Sequence, residues 1–204
     1  MSYHATIRML AVASLAWLAT GSIGLAQQPV RVRGTIEKVD GPLLEVKSRD
    51  GTDVTVKLAD KLTVNAVVKA SLDGIKEGSF VGITALPQTD GSWRAVEVHI
   101  FPEAMRGTGE GDRPWDLQPK STMTNATVAQ TVSRVEGNNL TLKYQGGEKT
   151  ITVVPQTTIV AFTPGDASEL KPGAKVFIPA AEKKEDGTLQ AARIIVGRDA
   201  APPM

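Results

Sequence analysis

Val32-Arg33-Gly34-Thr35-Ile36-Glu37-Lys38-Val39-Asp40-Gly41 returns, 96 positions later, as Val128-Ala129-Gln130-Thr131-Val132-Ser133-Arg134-Val135-Glu136-Gly137. The correspondence continues outward from there. Leu44-Glu45-Val46-Lys47 answers to Leu140-Thr141-Leu142-Lys143, and Val54-Thr55-Val56 to Ile151-Thr152-Val153. Ser71-Leu72-Asp73-Gly74-Ile75-Lys76-Glu77-Gly78 answers to Ala167-Ser168-Glu169-Leu170-Lys171-Pro172-Gly173, and Asp90-Gly91-Ser92 to Asp186-Gly187-Thr188. Ordered matches over such a length mark an internal duplication. The two units cover residues 31–101 and 128–197.

Each unit alternates apolar and polar residues over short runs. Leu44 and Val46 precede the turn pair Asp50-Gly51, and Val54, Val56 and Leu58 follow it. Alternating β-branched residues bounded by Asp-Gly or Gly-Gly read as hairpins. Ala70–Glu77 is the one helix-like element, a single turn closed by Gly78. Phe80–Leu86 is more continuously apolar, as a strand closing a barrel would be. Five or six short strands around one turn of helix predict a small closed barrel without exposed sheet edges. The expected architecture is all-β: two tandem small OB-like β-barrels, 31–101 and 128–197, joined by a 26-residue linker at 102–127, with a C-terminal tail at 198–204 that is frayed over 200–204.

The runs 34–47, 71–78 and 90–100, with their counterparts in the second unit, resemble the DUF5666 family. That resemblance implies exported bacterial β-barrel domains with no assigned activity. The block Gly107–Asp116 with Ser121–Ala126 is similar to a two-domain subgroup whose relatives are labelled metal ABC transporter permeases. A permease needs several spanning helices, and no apolar stretch after residue 26 approaches the roughly 20 residues a span requires.

Residues 1–26 read as an address. One charge at Arg8, an apolar run from Met9 to Leu18 and small residues up to Ala26 have the form of a signal peptide cleaved between Ala26 and Gln27. The expected location is periplasmic, and the absence of cysteine excludes a lipoprotein. Hydrophobic residues make up 41% of the chain and charged residues 22%, a globular balance. Cleavage would remove Arg8, one of 23 basic residues, leaving 22 against 22 acidic ones. A neutral chain lacks the positive footprint that nucleic acid demands.

Zero cysteines exclude disulfides, thiol catalysis and Cys-based metal or iron–sulfur centres. Of two histidines, only His99 lies outside the leader. No pair of carboxylates is singled out by spacing, so an enzyme is not expected and neither is a cofactor. Gly107-Thr108-Gly109-Glu110-Gly111 has the wrong spacing for a phosphate loop and places a carboxylate where phosphate would be repelled. In the linker, Trp115 is expected to pack between or against the barrels; the functional alternative is a recognition surface with Arg113 and Trp115 as contacts. Glu97 and His99 share one face of the strand 92–101, opposite Val96, Val98 and Ile100. They form the one candidate metal half-site, with Glu110, Asp112 or Asp116 to complete it, although an exposed surface pair is the simpler expectation. The leading expectation is an exported non-enzymatic binding or interaction module with an unknown protein or small-molecule partner in the envelope. The alternative is a metal-binding accessory protein there.

Overall fold

Turn glycines and alternating β-branched residues produce antiparallel hairpins within each repeat. The computed structural model describes residues 28–134 and 137–202, so the expected leader lies outside the described residues. The first repeat gives β1 (Val30–Asp40), β2 (Leu43–Ser48), β3 (Asp53–Lys69), β4 (Phe80–Pro87) and β5 (Trp93–Ile100). The connection carries β6 (Gly111–Pro114). The second repeat gives β7 (Thr122–Arg134), β8 (Gly137–Tyr144), β9 (Gly147–Val153), β10 (Thr158–Pro164), β11 (Lys175–Lys183) and β12 (Leu189–Gly197). The helix-like element is a 3-10 turn at Leu72–Gly74, matched by another at Ala167–Glu169.

The strands close into two barrels, but neither repeat is itself a barrel. β1, β2 and β3 form a meander, with Ile36 opposite Val46 and Leu44 opposite Val56. The strands that close it come from the other repeat. β11 pairs with β1 at Arg33↔Phe177, β12 pairs with β11, and β12 runs parallel to β3 from Leu189↔Val56 to Gly197↔Val67. Reciprocally, β7, β8 and β9 are closed by β4, which pairs with β7 at Ile83↔Thr124, and by β5, which meets β9 at Arg94↔Thr152. This corrects the expected division into barrels at 31–101 and 128–197. The physical reason lies in β3 and β10: each runs on past its own meander and the two pair antiparallel, so each delivers the strands that follow it to the other barrel. In the second repeat the counterpart of β3 is split into β9 and β10 at Pro155-Gln156-Thr157.

β3 and β10 meet antiparallel where the two barrels join, and there Val67 sits opposite Phe162. These residues are each other's equivalents in the two repeats, so a pseudo-twofold axis passes between them. Val67, Val160, Phe162, Phe177 and Ile195 form a buried seam on this axis, distinct from the two barrel cores. Each barrel core mixes the repeats: Ile36, Leu44 and Val56 pack with Val176, Ile178 and Ile194, while Leu140, Leu142 and Ile151 pack with Val81, Ile83 and Val98.

From Leu44 onward the offset stays within one residue of 96, but the first strand departs from it. The ladder bulges after Ile36 in β1 and after Val128 in β7, 92 positions apart. Ile36 N–H donates to Ala174 O and Ile36 O accepts from Gly173 N–H, as Val128 N–H and O do with Ser79 and Gly78. The second repeat therefore starts at Thr122, and its first hairpin is four residues longer. The expected 102–127 linker shrinks accordingly. Residues 122–127 belong to β7, and β6 pairs with them at Arg113↔Met123. The tail is docked through residue 202: Arg198 N–H donates to Val67 O, Lys69 N–H donates to Asp199 Oδ1, and Pro202 is buried.

Candidate binding pocket at the seam

Two equivalent rows of laterally paired residues cross the barrels beside the axis. One is Arg33–Phe177–Ile195, on β1, β11 and β12. The other is Asn125–Gly82–His99, on β7, β4 and β5. The first row is bulky and the second small and polar, and both contribute to one pocket of about 140 Å³. A Cβ at Gly82 would stand 2.7 Å from Asn125 Oδ1 and 3.0 Å from the Phe101 ring, so this position is held to glycine by close approach.

The pocket wall is aromatic and sulfur-rich, formed by Phe101, Phe162, Phe177, Trp115, Met105 and Met123. Phe101 and Phe162 lie 4.9 Å apart between ring centroids, and Trp115 meets Phe177 edge-on at 6.4 Å. A chain with so few aromatic residues thus concentrates them at the seam, where large rings contribute most to packing.

His99 is 3% exposed and packs edge-on against Phe162 at 5.7 Å. Its Nε2 lies 3.3 Å from Glu97 Oε2 yet makes no hydrogen bond. Asn125 Nδ2 donates to Thr108 O at 2.9 Å, while its buried Oδ1 has no partner. The pocket therefore contains two buried polar residues with unused hydrogen-bonding capacity, an arrangement that costs free energy unless something satisfies it. Burial of Glu97 and His99 corrects the expectation of an exposed pair. Glu97 and Ala95 oppose consecutive residues of β4, so Val96 is bulged and the alternation slips. β10 then runs alongside, placing Thr158 beside Glu97 and Val160 beside His99.

The carboxylates expected to join His99 are engaged elsewhere. Asp112 pairs with Lys149 at 3.0 Å, Asp116 with Arg33 at 2.8 Å, and Glu110 accepts from the Gln145 N–H at 3.1 Å. Among the described residues no group of three His, Cys, Asp or Glu side chains converges.

The other side of the pocket is basic. Arg113 and Arg193 line it, and Arg31, Arg33 and Arg113 surround the Trp115 ring at 4.5, 5.5 and 5.7 Å from its centroid. Burial, with the charge of Arg31, pulls the Arg113 pKa below its ordinary value, opposed in part by Asp112. Asp116 is the carboxylate serving both Arg31 and Arg33. Thus Arg113, Trp115 and His99, singled out from sequence, line one pocket, with Glu97 beside His99. Sequence reasoning missed Phe101, Phe162, Phe177, Asn125 and Arg193. Comparing the repeats with each other could have found part of this, because Gly82/Phe177, Glu97/Arg193 and His99/Ile195 are places where equivalent positions differ most in chemistry.

The model of one family, described as "Domain of unknown function (DUF5666)", matches the chain twice, over residues 33–99 and 131–195. Comparison with curated proteins and with solved structures found no match. Among the described residues, no helix is long and apolar enough to cross a membrane.

Proposed function

The chain belongs to the DUF5666 family, and from that premise we propose that it is an exported, non-enzymatic binding module whose ligand site is the pocket at the seam. The carrying observation is that this pocket has an aromatic wall on which a few polar side chains, His99, Asn125, Arg113 and Arg193, converge. An apolar cavity with a few convergent polar groups is the usual form of a small-molecule site. The non-enzymatic reading is supported by composition, with no cysteine and His99 as the one histidine after the leader. Export is supported by the form of residues 1–26.

Native mass spectrometry of the protein recovered from the cell envelope tests both parts. The expected spectrum shows the mass of residues 27–204 with a small-molecule adduct. A mass retaining residues 1–26 overturns export, and a spectrum of bare polypeptide overturns the small-molecule site.

A further inference from the structure

We propose that the pocket selects a small anion with a flat apolar body, a single-ring aromatic monocarboxylate being the class that fits; this rests on the binding-module reading above. Size sets the first limit. A cavity of about 140 Å³ is close to that which accommodates one benzene ring in a protein interior. The ring would lie among Phe101, Phe162 and Phe177, where offset or edge contacts are favourable.

Charge sets the second. Arg193 is exposed at the mouth and makes no ion pair or hydrogen bond with any described residue. Arg113 is half-buried and donates to the Gly109 carbonyl at 2.7 Å, with no carboxylate within salt-bridge distance among the described residues. The nearby acids are committed: Asp116 to Arg33 and Arg31, Asp112 to Lys149 and Thr124. Glu97 contributes negative charge, but beside His99 on the buried side rather than at the mouth. Two guanidiniums without carboxylate partners repel a cationic ligand and offer planar donors that match a carboxylate.

Depth sets the third. Arg193 is exposed, whereas His99 and Asn125 are buried at 3% and 5%. A ligand with its carboxylate at the mouth would point its far end toward His99 and Asn125, whose side chains make the deep wall of the pocket polar.

The probes are 4-hydroxybenzoate and its neutral isostere 4-hydroxybenzamide, titrated into the full chain labelled with 13C at the methionine methyls. Met105 and Met123 line the pocket. The expected result is that 4-hydroxybenzoate shifts the Met105 and Met123 methyls alone and binds at least about tenfold tighter than the amide. Arg193→Gln, a substitution at a side chain with no partner to lose, should reduce that preference severalfold, Arg113 supplying the remainder, while the thermal midpoint stays unchanged. Equal binding of acid and amide would overturn the anion class and leave the pocket reading standing. Failure of both probes to move either methyl would overturn the class as well. The pocket reading itself falls only if the envelope-derived protein also carries no adduct.

Discussion

Truncation of Trp115 is the perturbation that most directly loads the packing of the connection onto the seam. The indole is largely buried, faces Phe177 edge-on at 6.4 Å, and has the Arg31 guanidinium 4.5 Å above it. A Trp side chain buries roughly 150–250 Å² when folded in. Allowing for the exposed part, about 120 Å² at about 25 cal/mol per Å² gives about 3 kcal/mol. The Phe177 contact and the cation–π contacts add about 1 kcal/mol together, since the arginines are partly solvated. Trp115→Ala is therefore expected to cost about 3–4 kcal/mol, which for a protein of this size lowers Tm by roughly 10 °C. Urea denaturation followed by circular dichroism measures the loss, and Trp115→Phe should restore about half of it. A loss for Trp115→Ala of less than about 0.5 kcal/mol would refute the reasoning and leave Trp115 as a surface contact without a structural role.

Two further outcomes follow from the same geometry. Burial pushes the Asp116 carboxyl up, but hydrogen bonds from Arg33 and the charges of Arg33 and Arg31 outweigh it and hold the group below the ordinary carboxylate range. A depressed folded pKa contributes stability that is complete above the unfolded value near 4 and is lost as pH falls through the folded value. Asp116→Asn should thus cost about 1 kcal/mol near neutral pH, discounted for a carboxylate that is 45% exposed. It should cost little near pH 2; equal losses in urea at both pH values contradict the ion pair. Gly34→Ala would place its Cβ against the Lys47 carbonyl oxygen across the β1–β2 ladder, where backbone cannot yield. The expected loss is about 3 kcal/mol, and a thermal midpoint unchanged by the substitution would show that the two strands are less closely apposed.

Much of the fold was legible because hairpins are local. The Asp50-Gly51 turn and the Leu44/Val46 and Val54/Val56 alternation specify β2 and β3 with no knowledge of the rest. The exchange of strands was not legible, for a physical reason. Val81 and Ile83 of β4 have the same character as Val176 and Ile178 of β11, so either pair would fill either barrel equally well. What carries the exchange is the antiparallel pairing of β3 with β10, a contact between the repeats that neither repeat's own pattern contains. The misplaced first strand has a similar origin. A slip of four residues is even, so it leaves every side chain on its proper face, and the pattern cannot distinguish offset 92 from offset 96. At the site, Trp115, Arg113 and His99 stood out as rare or unusual residues in their segments. Phe162, Phe177 and Arg193 did not, because each sits within an ordinary strand pattern and acquires its role only when the two repeats meet at the axis.

The central claim is that each barrel is built from both repeats, and cutting the connection tests it. A protease site inserted at the exposed turn between Pro119 and Lys120 allows the folded chain to be cleaved into its two repeats. Size-exclusion chromatography with light scattering is then run in native buffer, and again after each purified fragment is refolded alone. Strand exchange predicts that the cleaved halves migrate together at the mass of the intact chain, and that neither half alone yields a folded monomer. Two fragments that separate in native buffer as independent folded barrels would contradict it.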